Sequence, residues 1–203
     1  MALVDCDPGR GGIEVLLGIE GQQGARWADL ANVRATIDPG DLTGVLPSWR
    51  DVEVLSSDRR AATVGGSAIA AVFESLVAAR DVVVVDLPAR ALLARAGEPE
   101  LPGIVAAATD VVVVTGQDVL GVSGALVVRD LVGPRARLVL RSRRRSGVAP
   151  IEAAQVLGLR LAGSLPADRR VGDAVERGLG PVPGWWSPLG RTVRRVADGS
   201  ARG

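Results

Sequence analysis

Apolar residues recur along the chain in short runs, each closed by a turn or an acidic residue. They are ALVD (2–5), VEVLSS (52–57), VVVVD (82–86), VVVVT (111–115), RLVLR (137–141) and LAGSLP (161–166). VVVVD and VVVVT do not alternate with polar residues, which predicts strands covered on both faces, as in a parallel sheet between helix layers. Between the runs the period lengthens. GSAIAAVFESLVAAR (66–80) sets Ile69, Val72, Phe73, Leu76 and Val77 on one helical face. IEAAQVLG (151–158) predicts a short helix with Pro150 at its first turn and Gly158 at its end. Strand and helix alternate throughout, so the expected fold is α/β, doubly wound around a mainly parallel sheet. Pro181, Pro183, Gly184 and Pro188 mark a linker. It separates an α/β domain over 1–180 from a tail over 181–203.

Composition narrows the chemistry. The 203 residues suit one ordinary domain, and 47% apolar against 23% charged content can build a core. A formal net charge of +1 argues against a dedicated nucleic-acid binder. With Cys6 alone, no internal disulfide framework exists. No signal peptide or long apolar run stands out, so a cytoplasmic protein is expected. The sequence has no His or Tyr, and all 24 residues of the Lys+Arg count are Arg. Histidine-based triads, Schiff-base lysines and the lysine of a phosphate-binding Walker A loop are therefore excluded within these residues.

In a parallel sheet, ligands sit beyond the carboxyl ends of the strands. Asp5 and Asp7 follow the first run there, and Asp86 follows the third. Carboxylates beside a phosphate serve by holding Mg²⁺ or orienting an attacking water. Carboxylates in these places also cap turns and helices, so both uses stand open at this point.

Motif order resolves more than any single motif. LVDCDPGRGGIEVLLGIE, with a strand ending in DxD, resembles a conserved segment of the MinD/ParA family of P-loop ATPases. WADLANVRATID (27–38) resembles the helix downstream, and ARDVVVVDLP resembles the family's Walker B segment. ATDVVVVTGQDVLGVSGALVVRDL looks like the next strand and helix, and IEAAQVLGLRLAGSLPADRRVGDAVERGLGP looks like the end of the domain. DLP followed by Ala89 and Arg90, together with SPLGRTVRRVA, is most similar to the actinobacterial septum-site-determining, CpaE/TadZ-like branch. The likeness runs from about residue 2 to residue 197.

That resemblance implies a P-loop NTPase fold of the SIMIBI type and septum-site determination or pilus positioning as the function. It implies Asp7 as the water-orienting residue, with Asp5 and Asp86 supporting Mg²⁺. The family's first strand and its KGGxGK[ST] loop do not occur in these residues, and no Lys stands in for them. Arg141 and Ser142 occupy the place of the family's adenine-reading Asn-Arg pair. The expectation is therefore an incomplete nucleotide switch, with no tightly bound cofactor and no ATP hydrolysis by these residues. ATP and Mg²⁺ enter only if an upstream segment belongs to the protein, which would then be a genuine Mg-dependent ATPase. Such a segment is preferred to a diverged sheet that closes the gap, because unpaired buried backbone groups cost on the order of 1–3 kcal/mol each. The implied partners are proteins of the division or pilus machinery, with room for a homodimer.

Two basic stretches complete the candidate surfaces. RSRRRSG (141–147) places Arg141, Arg143, Arg144 and Arg145 in an expected loop. That loop is either a solvated charge run or an anionic contact, including weak non-specific DNA binding. In WWSPLGRTVRRVADG, a helical wheel puts Trp185, Trp186, Leu189, Val193 and Val196 on one face and Arg191, Arg194 and Arg195 opposite. Ser187 is the expected N-cap, Pro188 lies in the first turn and Gly199 marks the end. Such a helix either packs over its own sheet or lies on the inner face of the cell membrane, as the C-terminal helix of MinD-type proteins does.

Overall fold

The structure, a computed structural model, describes residues 1–7, 12–33, 36–60, 63–93, 100–142 and 147–200. It divides into two compact units, Met1–Leu101 with Asp173–Pro181, and Pro102–Gly172 with Val182–Gly203. The chain passes from one to the other three times, within the helices Glu100–Ala107 and Arg169–Glu176 and again between Pro181 and Val182.

In the first unit β1 (Ala2–Asp5) is followed by two short helices, α1 (Ile13–Leu17) and α2 (Trp27–Leu30). A two-residue turn at Arg50 and Asp51 then joins β2 (Ser48–Trp49) antiparallel to β3 (Val52–Leu55). Arg50 opens that turn at φ 56, in the left-handed region, and its guanidinium lies 4.9 Å from the centre of the Trp49 ring. Helix α3 (Gly66–Ala79), strand β4 (Val83–Asp86) and helix α4 (Ala89–Leu93) follow. The strand order is β2-β3-β1-β4, with β1 parallel to both β3 and β4. Ala2, Val4, Val54 and Leu55 have no exposed surface, and neither do Val72 and Leu76 of α3. Each such large apolar side chain contributes roughly 1.5–3 kcal/mol by leaving water.

The second unit begins in α5 (Glu100–Ala107) and builds a three-stranded parallel sheet in the order β5-β6-β7. Its strands are β5 (Val112–Gly116), β6 (Arg137–Arg141) and β7 (Arg160–Leu165). Helices α6 (Val119–Val132) and α7 (Pro150–Leu157) make the crossovers, and α8 (Arg169–Glu176) carries the chain out. Helix α9 (Pro188–Ser200) packs on β7. Gly158 closes α7 in the left-handed conformation, with its N–H returned to the last turn. The ladder slips between Leu138 and Val139, which pair with Leu161 and Gly163, so Ala162 bulges out of register.

The α/β fold with mainly parallel sheets is as expected, and the six apolar runs all form strands. Several details differ. Val84 in β4 is 42% exposed and Val114 in β5 is 60% exposed, not covered on both faces. Each lies on the edge strand of its own sheet, where less of the protein covers it. On α3, Val77 is 63% exposed, while Ala68, Ala71 and Ser75 are buried, so the inward face is rotated from the expected one. WADLANVRATID forms a single helical turn, Trp27–Leu30, in place of a helix over 27–38.

Candidate functional site

The first acidic residues meet at the carboxyl end of the first unit's sheet. Register pairs Asp5 directly with Asp86 across β1 and β4, and the Cys6 N–H donates to the Asp86 carbonyl at 2.9 Å. Asp5 is buried. Its Oδ1 accepts the Asp7 N–H and its Oδ2 the Ile13 N–H, both at 2.8 Å, while the Ser56 hydroxyl lies 3.4 Å from Oδ2. The carboxylate therefore organises the return of the chain into α1, reaching an amide eight positions further along. The Asp5 carbonyl in turn accepts the Trp27 indole N–H at 2.7 Å, fixing α2 beneath the same turn. Gly12 is essential to the geometry: its φ is 78, and a Cβ there would lie 2.0 Å from the Ser57 carbonyl oxygen.

Electrostatics follows from the crowding. Burial pushes the Asp5 carboxyl up, the Ile13 amide opposes this, and the negative charge of Asp86 adds to the rise. Burial, with Asp5 and Asp86 nearby, pushes the Cys6 thiol up to about 12. Asp7 forms an ion pair with Arg90 of α4, through Oδ1 and Nη2. The Asp7 side chain is 14% exposed and that of Arg90 53%. Close by in sequence, Glu14 of α1 forms a buried ion pair with Arg26, whose guanidinium also donates to the carbonyls of Gly24 and Gln22.

These carboxylates do not by themselves fit a metal. Among the described residues, no three His, Cys, Asp or Glu side chains converge as ligands. Asp5 spends both oxygens on backbone amides, and Asp7 faces a guanidinium. Of the three expected residues, the structure brings Asp5 and Asp86 into register and sets Asp7 beside Arg90. Arg90 carried no role in the sequence reading: its partner lies 83 positions away, beyond any local pattern.

The second unit holds the other candidates. Arg141 ends β6 in solvent, and Arg143, Arg144 and Arg145 lie outside the described residues. Ser142 donates to Gln117 Oε1 at 2.6 Å, and Gln117 Nε2 donates to the Val148 carbonyl at 2.9 Å. In the tail, Trp185 and Trp186 precede α9 and do not belong to it, because Ser187 caps the helix by accepting the Gly190 N–H at 3.0 Å. The helix ends at Ser200, one residue past the expected Gly199.

Leu189, Thr192 and Val196 are half-buried, and Val193 is exposed, so the expected single apolar face is split. Gly163 of β7 leaves the room: a Cβ there would lie 2.8 Å from Thr192 Cγ2. Buried Arg137 fastens the far end, donating to the Val196 carbonyl at 3.1 Å, to Ser200 Oγ at 2.5 Å and twice to Asp110. The indoles stay outside, Trp186 at 78% exposure. The Arg194 guanidinium lies 4.1 Å from the centre of the Trp185 ring, and Arg191 donates to the Trp186 carbonyl at 2.6 Å. Among the described residues, no helix is long and apolar enough to cross a membrane.

No family model matches the chain. Two curated Mycobacterium tuberculosis proteins, uncharacterized protein Rv3660c of strain H37Rv and uncharacterized protein MT3760 of strain CDC 1551, are 33% identical to it over 179 residues. The match takes in 87% of this chain and 49% of theirs, so the chain spans about half the length of these relatives. Among solved structures, a ParA family ATPase from Chlorobium tepidum matches with a TM-score of 0.72 at 16% identity, covering 98% of this chain and 85% of that one. A MinC:MinD cell division protein complex from Aquifex aeolicus matches at 0.71 and 14% identity, covering 100% and 83%. The septum site-determining protein MinD of Pyrococcus horikoshii, complexed with Mg-ADP, matches at 0.54 and 17% identity over 98% and 96%. The chain shares the fold of MinD/ParA P-loop ATPases.

Proposed function

We propose that this chain is a MinD/ParA-type positioning protein of the septum-site-determining or pilus-positioning kind, in the CpaE/TadZ-like branch. It acts by binding partners and surfaces, and these residues by themselves hold only part of a nucleotide switch, without a Walker A lysine. The observation that carries this reading is the register pairing of Asp5 with Asp86 on a MinD/ParA-like sheet. Relatives in Mycobacterium tuberculosis agree with the actinobacterial branch. A neighbouring structure is a MinC:MinD complex, which supports a protein partner.

The surface contact is the exposed pair Trp185 and Trp186, braced by Arg191 and Arg194 and flanked by Val193 and Arg195. Indoles beside guanidinium groups suit the headgroup layer of an anionic membrane. Leu189 is half-buried on α9, which packs on β7. Three Arg contribute roughly 3 kcal/mol near an anionic leaflet, a marginal attachment that a homodimer would double. Co-sedimentation with anionic vesicles tests this. The chain is expected to pellet with anionic but not neutral lipid, and replacing both indoles by Ala should abolish pelleting. Indifference to lipid charge would defeat the membrane contact.

A genuine Mg-dependent ATPase is the second reading, with its phosphate-gripping segment in a longer protein. It is favoured by the half-length match to the mycobacterial relatives. Upstream sequence containing GK[ST] would support it. A nucleoid contact through Arg141 and the adjoining Arg143, Arg144 and Arg145 is a subsidiary expectation, tested below.

A further inference from the structure

Helix α6 of the second unit is apolar on both of its faces. Val122, Ala125 and Val132 turn inward and are buried. On the opposite face Leu120 is 84% exposed, Val127 52% and Leu131 50%. With Gly124, also exposed, these residues follow one another along the helix at intervals of four, three and four. That is the spacing of a seam along which one helix packs on another, and none of its four residues is charged. Gly124 sits mid-helix, where glycine costs about 1 kcal/mol relative to Ala. Nothing lies within 4 Å of a Cβ built there, so the chain's own packing does not require the glycine. The bare position serves whatever approaches from outside.

We propose that the outer face of α6 docks a second copy of this chain, the two helices packing antiparallel about a two-fold axis. The stripe matches itself in that arrangement. Leu120 meets the partner's Leu131, and Gly124 leaves room for the partner's Val127, which is the self-complementarity that a two-fold contact demands. Charge favours the same direction. The Asp130 side chain is 69% exposed and comes beside the first turn of the partner's α6, the positive end of its dipole. That turn carries no acidic residue, and Asp118 before it is engaged with the Gly121 N–H at 2.8 Å. By symmetry the attraction occurs twice, whereas a parallel pair would set like ends of the two dipoles together. Helix α7, packed on α6, exposes Ile151 and Val156 as well. Their apolar surface adds toward the roughly 800 Å² per partner of a stable interface. The inference goes beyond the positioning reading: it gives the homodimer invoked there an interface, and it stands on α6 alone.

Sedimentation equilibrium of the purified chain, from about 1 to 500 µM and without nucleotide or lipid, is the test. A monomer–dimer equilibrium is expected. Leu120→Glu and Leu131→Arg should each weaken it at least tenfold, and both sites are exposed enough to leave the fold intact, as far-UV circular dichroism would verify. The two substitutions combined in one chain should restore dimerisation, because the antiparallel register sets each new charge against its opposite on the partner. A chain that stays monomeric throughout the range overturns the proposal and leaves the stripe to a different protein. So does a dimer indifferent to Leu120→Glu, or one that the combined variant fails to restore. Failure of vesicle binding would leave this result untouched, so the two readings fail separately.

Discussion

Arg137 of β6 reaches the carbonyl of Val196, four residues before the end of α9, and so ties a strand to a helix 59 positions further along. The same guanidinium grips Asp110 and Ser200, and its side chain is only 5% exposed. A cation at a helix carboxyl terminus is favoured by the exposed carbonyls and the helix dipole. Arg137→Gln would leave Asp110 without its main partner, and because that carboxylate is 22% exposed the loss is about 1–3 kcal/mol. Urea denaturation should show a fall of that order.

Gly163 sets the clearance for the same helix. Replacing it with Val forces the added atoms into Thr192, and overpacking of this kind costs about 1–3 kcal/mol. Hydrogen exchange should show faster exchange across α9, with β6 amides still protected. Uniform loss of protection throughout the second unit would mean that α9 is part of an indivisible core.

Acid should loosen α9 selectively. Hydrogen bonding from Arg137 holds the Asp110 carboxyl below its ordinary 3.8, against the effect of burial. A group lowered in the folded state contributes stability above its unfolded value and loses it as pH falls through the folded one. Asp5 has the opposite sign: raised by burial, it contributes fully below its unfolded value and loses that contribution as pH rises through the folded one. As pH falls below the ordinary carboxylate range, α9 exchange should therefore accelerate, while the Asp5 carboxyl contributes no loss of stability there.

Cys6 should be a poor nucleophile. With its thiol pushed up to about 12, only about one molecule in ten thousand carries the thiolate at pH 8. Reaction with a disulfide reagent should be slow at that pH and should quicken in Asp5→Asn, which removes one of the two neighbouring charges. Rapid labelling of the unaltered protein at pH 8 would contradict the crowded environment described here.

The basic stretch RSRRRSG makes a separate prediction. Weak DNA affinity that falls steeply with salt, and disappears when Arg143, Arg144 and Arg145 become Ala, would establish a phosphate contact. Salt-independent binding would not fit such a contact.

Local patterns were readable where local forces decide. RLVLR is β6 residue for residue, and Pro150 with Gly158 bounds α7 as its turn chemistry requires. Patterns failed where tertiary ties intervene. The Trp27 indole and the Asp29 carboxylate fix only the first turn of α2, through Asp5 and the Arg26 N–H. Ser187 was legible as the N-cap of the last helix and does cap it, so the helical wheel that carried Trp185 and Trp186 onto its face ran past the cap read from the same residues. Asp5 and Asp86 were identifiable as strand ends, but Arg90 and Arg137 were not identifiable as partners, since their contacts close loops of dozens of residues.

The most direct measurement is calorimetric titration of Mg-ATP into the purified chain, with phosphate release followed in parallel. A surface-binding protein with an incomplete switch should give no saturable heat and no release. Turnover that Asp7→Ala abolishes would contradict it.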